Sequence, residues 1–179
     1  MSWVGMMGDG RTEFAPTVYN LYQAQGDYYM EDNRFAAVGA IVLRGDDVLL
    51  VRHTYGSAAG QLLNPSGMIK QGELPIEALK REILEETGVD INPLGLLAVR
   101  CSVKDWWLVF LAEYVAGEAR SDNCENSEAF FMPCNEALCH EDITDATRIL
   151  IKLAKDKKLM AVNEEYSMLP SIDGRIMFS

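Results

Sequence analysis

The chain has 179 residues, of which 49% are hydrophobic and 24% charged, and it carries a formal net charge of −11. This length and balance fit one globular domain with a sizeable core, and the acidic excess argues against extended nucleic-acid binding, which needs clustered Lys and Arg. Because no apolar run reaches the roughly 18 residues that span a membrane and the first residues lack the basic start and apolar core of a signal peptide, we expect a cytoplasmic protein without a membrane partner.

The chain begins with a polar, tyrosine-rich stretch, which we interpret as an N-terminal extension of residues 1–34. The apolar run Phe35–Leu43 has the length of a strand, and Val48–His53 returns after the turn residues Arg-Gly-Asp-Asp. The two runs predict a β-hairpin. Residues 54–67 contain three glycines and a proline, so we predict a loop there.

A helix is predicted over Pro75–Thr87. The proline fits the first turn, where its missing N–H costs no hydrogen bond. Gly88 fits the position just past the end of the helix. Leu79 and Ile83 recur at helical spacing and predict the face that packs on the core.

The second half of the chain predicts three more strands and a helix. Leu94–Val103 and Trp106–Val115 are apolar strand candidates joined at a polar turn. A polar, acidic loop is predicted over residues 116–128, and Ala129–Met132 is a short strand candidate after it.

The last predicted helix closes the domain. Helical spacing over Ile143–Lys158, with lysines in the last turn, favours a helix there. We place the domain at residues 35–158 and interpret residues 159–179 as a tail that packs on the domain or on a partner subunit. Because strands alternate with helices, we predict a mixed sheet covered by helices.

The end of the first predicted helix carries three acids, Glu82, Glu85 and Glu86. At 100° per residue they fall within an arc of about 100°. Like charges at these spacings cost a few tenths of a kcal/mol each, and acids in a last turn oppose the helix dipole. A bound cation would reverse that penalty, and hard oxygen ligands favour Mg²⁺ or Mn²⁺.

The stretch from Gly67 to Val89 resembles the Nudix box, G-x5-E-x7-R-E-U-x-E-E-x-G-U with U apolar, and therefore the MutT-like Nudix hydrolase family. The specified positions are filled by Gly67, Glu73, Arg81, Glu82, Ile83, Glu85, Glu86, Gly88 and Val89. The resemblance extends over about residues 35–155. It implies an α+β fold in which a mixed β-sheet lies between helices, an α/β/α sandwich.

The resemblance implies a Mg²⁺-dependent hydrolase that cleaves a phosphoanhydride bond in a nucleoside diphosphate derivative or a nucleoside triphosphate. A non-catalytic Nudix domain that senses a ligand or binds a partner is the alternative, and a diphosphate-using isomerase on a related fold is a third hypothesis. Lys104 stands where ADP-ribose hydrolases are expected to carry a proline, and the upstream coenzyme A signature is absent. The substrate subclass therefore stays open.

The resemblance also assigns roles to the box residues. Glu82, Glu85 and Glu86 would bind the metal together with the backbone carbonyl of Ser66, and Glu82 is also a candidate base. Ser66-Gly67 stands in place of the usual Gly-Gly, a change that keeps the carbonyl. Arg81 would orient the glutamates, and Glu73 would pair with Arg81 as a structural salt bridge, with Gly67 and Gly88 as structural members of the box.

Outside the box, the resemblance points to a glutamate in the later acidic loop as a ligand or base. Glu125 and Glu128 are the candidates, and Glu125 is preferred because it lies further from the apolar run that follows; a solvated acidic loop is the alternative for both.

Three further residues are candidates for binding the substrate. Arg52 follows an apolar strand and is placed to meet phosphate, or it is a surface charge. Trp106 and Trp107 alternate faces on a strand, so that one can stack on a nucleobase while the other packs in the core. The partner we expect is a small nucleotide or other diphosphate, and a homodimer is possible.

Overall fold

The computed structural model of the chain describes residues 36–102, 105–157, 159–162 and 178–179. The predicted extension 1–34 and most of the predicted tail lie outside the described residues. In the described part the strands are β1 (Ala36–Arg44), β2 (Asp47–His53), β3 (Leu62–Leu63), β4 (Ser66–Met68), β5 (Val89–Cys101), β6 (Trp106–Gly117) and β7 (Asn126–Pro133). The helices are α1 (Pro75–Thr87), α2 (Cys134–Ala137) and α3 (Asp145–Asp156), and a 3₁₀ turn spans Gly56–Ala58.

The strands form one mixed sheet in the order β3-β2-β1-β6-β5. β1 and β6 run parallel over their length, and the other pairs are antiparallel. β1 pairs with β2 at the hairpin end, and further along β1 pairs with β4 and β2 with β3. β7 pairs with β2 over its whole length, from Asp47 to His53. The segment 62–68 is thus inserted between β1 and β2, where the N–H of Ala40 donates to the carbonyl of Pro65 at 3.2 Å.

Helices cover both faces of this sheet, because alternate strand residues are apolar on both sides. The α1-side core is built from buried residues of the sheet and of α1: Val38, Ala40, Val42, Leu49, Phe110, Leu79 and Ile83 among them. The α3-side core contains Ile41, Val48, Leu50, Leu111, Met132, Leu150 and Ile151 among others. The prediction of a mixed sheet between helices is confirmed. None of the described helices has the length and apolar content that a membrane crossing requires.

The predicted hairpin is confirmed within one residue at each boundary, and α1 has the predicted bounds. The loop prediction for residues 54–67 is wrong in part, because β3 and β4 lie at its end. Strands of two and three residues are too short to show alternation. β5 starts at Val89, directly after α1, and its register shifts at Asp90 and Pro93 explain why the sequence pattern missed its first half.

Two further boundaries differ from the prediction. β7 begins at Asn126, so residues 126–128 belong to a strand and not to the acidic loop. α3 begins at Asp145, after Thr144, whose hydroxyl accepts a hydrogen bond from the N–H of Thr147 at 3.2 Å and caps the helix. The short helix α2 has no counterpart among the predicted elements, since four residues carry no helical period.

Candidate metal-binding cleft

Helix α1 ends at Thr87, directly after Glu85 and Glu86, which lie in its last turn. Gly88 adopts a left-handed conformation with φ of 69°, and its N–H donates to the carbonyl of Leu84 at 2.9 Å. Only glycine takes this conformation without steric cost, so the helix stops and β5 begins at once. The last turn, with Glu85 and Glu86, therefore lies beside the inserted segment that contains β4.

Gly67 explains how closely α1 approaches β4. A Cβ on Gly67 would collide with the carboxyl group of Glu82 and would lie 2.6 Å from its Cγ. Any side chain at this position would displace Glu82 from the strand. The first specified glycine of the box is therefore required by close packing against the first acid of the helix.

Arg81 binds several of the box acids at once. Its Nε and Nη2 donate to the two oxygens of Glu73 at 2.7 and 2.8 Å, a bidentate pair. Its Nη1 donates to Glu82 at 2.6 Å and to Glu85 at 3.3 Å. The Arg81 hydrogen bond lowers the pKa of Glu73 to about 2, and the Glu73 hydrogen bond in turn raises the pKa of Arg81. The structure thus places Glu73 against Arg81, and Arg81 against one oxygen each of Glu82 and Glu85.

Glu86 has a different environment, because it is buried, with 7% of its surface exposed. Burial raises the pKa of Glu86 to about 8, and the negative charges of Glu125, Glu82 and Asp122 act in the same direction. A hydrogen bond from the N–H of Ser66, at 3.2 Å, opposes the shift. In the absence of a cation this carboxyl is largely protonated at neutral pH.

A small open cleft lies beside Glu86, whereas Glu82, Glu85 and Arg81 are not among the residues that line it. It has a volume of about 210 Å³, including space open to solvent. It is lined by Val51, His53, Leu63, Ser66, Glu86, Glu125 and Asn126. Three predicted site residues, Ser66, Glu86 and Glu125, are thus brought together from segments that are far apart in the sequence.

The donor chemistry of the cleft fits a hard divalent cation. Carboxylates and a backbone carbonyl are the ligands that Mg²⁺ and Mn²⁺ prefer, and a cation would offset both the burial and the nearby negative charges that raise the pKa of Glu86. Among the described residues, no group of three or more His, Cys, Asp or Glu side chains converges closely enough to hold a metal ion. Arg81 binds one oxygen each of Glu82 and Glu85, and a carboxylate has a second oxygen that can coordinate. The metal-ligand role of the three glutamates therefore stays a prediction.

The backbone of the acidic loop is held in place by Asp122. Its carboxylate accepts hydrogen bonds from the N–H groups of Cys124, Glu125 and Asn126 at 2.9 to 3.1 Å. Although burial acts to raise the pKa of Asp122, these bonds to the charged form outweigh it and lower the pKa. Glu125 itself is exposed at the rim of the cleft, on a fixed backbone.

Glu128 lies outside the cleft, although it was predicted together with Glu125. Arg52 and Glu128 are paired across β2 and β7, and they continue the alternation of Leu50 and Phe130, whose side chains pack on the α3 side. The guanidinium of Arg52 donates to Glu128 and to Asp142, both at 2.9 Å. It also donates to the carbonyl of Gly60 at 2.7 Å. Because residue 128 belongs to a strand and not to a loop, its side chain cannot turn freely toward α1.

The two tryptophans also lie outside the residues that line the cleft. Trp107 packs with the α3-side core, with its indole N–H beside Gly39 and the guanidinium of Arg100 5.1 Å from its ring. Trp106, the residue just before it, is 49% exposed. The structure thus places one tryptophan against the core and one at the surface, and stacking on a nucleobase stays a prediction.

Sequence reasoning missed Asn126. Its amide nitrogen donates to the carbonyl of Glu86 at 2.9 Å, which ties the last turn of α1 to β7. Its amide oxygen is buried and has no hydrogen-bond partner among the described residues. Buried polar atoms normally have a partner, so this acceptor beside the cleft fits a ligand or a water. One asparagine in a polar stretch carries no pattern that could have identified it.

Comparison with known proteins places the whole arrangement in a family. A family model described as the NUDIX domain matches residues 33–153. The chain is 34% identical over 86 residues to the 8-oxo-dGDP phosphatase NUDT18 of Danio rerio, a match that covers 47% of this chain and 26% of that protein. It is 27% identical over 103 residues to the NAD-capped RNA hydrolase NudC of Actinobacillus succinogenes, over 54% and 39% of the two chains. The chain thus spans about a quarter to two fifths of the length of these relatives.

Solved structures agree with this fold. A NUDIX hydrolase from Nitrosomonas europaea superposes with a TM-score of 0.61 at 25% identity, over 80% of this chain and 100% of that one. A MutT NUDIX hydrolase from Burkholderia pseudomallei gives a TM-score of 0.56 at 24% identity, over 66% and 95%. At such identities the likeness shows the fold and leaves the substrate open.

Proposed function

Because the chain belongs to the NUDIX domain family, we propose that it is a divalent-cation-dependent hydrolase that cleaves a phosphoanhydride bond. The observation that carries this proposal is the cleft, in which buried Glu86, Ser66 and rim residue Glu125 lie beside an intact Nudix box. An acid that is buried among other acids opposes stability unless a cation joins it. A role in binding a cation explains such an arrangement better than a contribution to the stability of the fold does.

In this proposal Glu82, Glu85, Glu86 and the carbonyl of Ser66 hold Mg²⁺ or Mn²⁺. A bound cation supplies charge neutralisation at the phosphates and a lower pKa for a bound water. Arg81 orients Glu82 and Glu85 through its hydrogen bonds, and its own position is fixed by Glu73. Asn126 holds the carbonyl of Glu86 and therefore the end of α1 against the cleft.

Glu125 is the proposed general base. It lies at the rim, where one carboxylate oxygen can take a proton from the attacking water while its backbone stays fixed. Glu82 is the second candidate, since its carboxyl group lies against Gly67 beside the proposed metal ligands. The Glu125 assignment has the advantage that this residue is not needed as a ligand.

We propose a nucleoside diphosphate derivative or nucleoside triphosphate as the substrate. The relatives carry the names 8-oxo-dGDP phosphatase and NAD-capped RNA hydrolase, which supports testing an oxidised nucleoside diphosphate and a dinucleotide first. The domain limits 35–158, the cytoplasmic location and a homodimer remain proposals. A non-catalytic binding domain is the alternative, and the filled box positions weigh against it.

A substrate panel tests the function directly. Purified protein is incubated with nucleoside di- and triphosphates, their 8-oxo-guanine forms and dinucleotides, with Mg²⁺, with Mn²⁺ or with EDTA. Released phosphate, pyrophosphate and nucleoside monophosphate are measured. We expect at least one substrate to be cleaved at a diphosphate linkage in the presence of a cation only. Binding of a nucleotide without any cleavage would support the non-catalytic alternative.

A further inference from the structure

The loop that follows β2 is bonded to the loop that presents Glu125. The N–H of Thr54 donates to the carbonyl of Glu125 at 3.1 Å. Its hydroxyl is 2.8 Å from the same carbonyl and 3.1 Å from the carbonyl of Cys124. The contact joins residues that are about seventy positions apart in the chain. The residue after Thr54 is therefore held next to Glu125, one of the residues that line the cleft.

That next residue, Tyr55, reaches the side chain of Glu125. Its hydroxyl donates to Oε2 of Glu125 at 3.2 Å. Its ring packs on the imidazole of His53, with 4.1 Å between the ring centroids, and the His53 backbone is fixed by hydrogen bonds with Gln61 and Gly60 at 3.0 and 2.8 Å. Tyr55 is thus anchored at the ring, although 53% of its surface is exposed.

We propose that Tyr55 is a positioning residue, which holds the Glu125 carboxylate with one oxygen on the phenol and the other turned toward the cleft. The proposal rests on the proposed function, in which Glu125 takes a proton from water. A free glutamate side chain samples several rotamers, and fixing one of them favours the reactive arrangement. Burial first, and the charge of Glu125 second, raise the pKa of Tyr55, so the phenol stays protonated and keeps its donor at neutral pH.

A positioning role of the Tyr55 hydroxyl and a stacking role of its ring predict different kinetic results. If Tyr55 acts through Glu125, loss of the hydroxyl alone lowers kcat, because the interaction belongs to the step that follows binding. If the exposed ring only stacks on a nucleobase, loss of the hydroxyl leaves kcat unchanged, and loss of the ring raises KM. Tyr55→Phe and Tyr55→Leu separate these roles.

The kinetic test uses Tyr55→Phe with Tyr114→Phe as its matched control. Tyr114 also donates its hydroxyl, to the carbonyl of Gly117 at 2.9 Å, but it does not line the cleft. We expect Tyr55→Phe to lower kcat roughly five- to twenty-fold, the scale of one lost hydrogen bond to a charged group, with KM within about twofold. In a Glu125→Gln background the same change should have no further effect. An unchanged kcat in Tyr55→Phe, or a full additional loss in that background, would overturn the proposal.

A second measurement does not depend on activity. In protein labelled with ¹³C at the tyrosine Cζ, the Tyr55 signal is assigned by its loss in Tyr55→Phe. We expect it to shift in Glu125→Gln and to stay in place in Glu136→Gln, a matched change on α2. No shift overturns the positioning role even if the enzyme is active. A shift without hydrolysis of any panel substrate overturns the proposed function, and the positioning role fails with it.

Discussion

The pairs Glu86–Glu125 and Arg52–Glu128 lie at the same end of the sheet on opposite sides, and they show two ways in which a fold uses acids. On the α3 side, Glu128 shares Arg52 with Asp142, so each acid has a cationic partner. In the cleft, burial raises the pKa of Glu86 to about 8, and the nearby charges of Glu125, Glu82 and Asp122 act in the same direction. The charge of the first group is compensated within the protein, whereas in the proposed function the second group binds a cation from solution. Glu125 and Glu128 are three residues apart, but Glu125 lies in the loop before β7 and Glu128 lies within β7, and this difference assigns them to the two environments.

The largest effect should come from the proposed metal-binding acids. Glu86→Gln, and separately Glu85→Gln, should lower turnover by at least two orders of magnitude, which corresponds to about 3 kcal/mol of transition-state stabilisation. Folding should be little harmed, because Glu85→Gln removes a charge from an acidic cluster, and Glu86→Gln replaces a buried carboxyl, whose pKa is raised to about 8, with a neutral amide of similar size. Steady-state kinetics on the best panel substrate measure this, with Glu136→Gln on α2 as the control. A folded Glu85→Gln/Glu86→Gln double variant with wild-type turnover would exclude these residues as ligands.

Cation binding should appear in the stability of the wild-type protein. A ligand that binds only the folded state adds about 1.4 kcal/mol at ten times its Kd, or roughly 3–6 °C in Tm for a chain of this size. Thermal melts with Mg²⁺ or Mn²⁺ against EDTA measure the shift, which should be absent in Glu86→Gln and retained in Glu128→Gln. If millimolar cation leaves the wild-type Tm unchanged, the site does not assemble without substrate.

A change to Arg52 in the Arg52–Glu128 pair should lower stability and leave turnover unchanged. Arg52→Lys keeps the charge but cannot reproduce the three contacts of the guanidinium, so we expect the free energy of unfolding to fall by about 1 kcal/mol. Both kcat and KM should stay within about twofold. Urea denaturation and kinetics are the two measurements. A raised KM with unchanged stability would instead support the prediction that Arg52 contacts the substrate phosphate.

The smallest effect concerns the pH dependence of stability. The pKa of Glu73 is lowered from 4.5 to about 2 by Arg81, so its contribution is fully present above pH 4.5 and is lost as the pH falls from 4.5 toward 2. Glu73→Gln should therefore flatten the decline of the urea midpoint over that range. The same slope in wild-type protein and in Glu73→Gln would show that the pair contributes nothing to acid stability, and Glu136→Gln again serves as the control.

The sequence predicted those parts of the fold that have a long run of regularly spaced apolar residues or that are bounded by prolines, glycines and turn residues. α1 has the predicted bounds because Pro75 and Gly88 fix both ends, and the hairpin β1–β2 follows from two apolar runs around a turn. The inserted strands β3 and β4 were missed because five residues in two strands are held by tertiary pairing and by no local pattern.

The candidate site likewise contains residues that a local pattern identifies and residues that only tertiary contacts bring together. The three acids of the box could be identified from their spacing on one helix, and the role of Arg81 from the resemblance to the Nudix box. The separation of Glu125 from Glu128 required the start of β7 and its pairing with β2, which shifts register between Arg52 and His53. Tyr55 and Asn126 act through contacts with residues at least 40 positions away, which a single sequence does not reveal.

The central claim is that the two acidic environments differ in function, and one matched pair of variants tests it most directly. Glu125→Gln and Glu128→Gln make the same chemical change three residues apart, and kcat is measured for both on one good substrate. We expect at least a tenfold loss of kcat for Glu125→Gln, about 1.4 kcal/mol, and less than threefold for Glu128→Gln. Equal losses, or a larger loss for Glu128→Gln, would contradict it. If neither variant changes kcat by more than about threefold, the base lies on α1, with Glu82 as the first candidate.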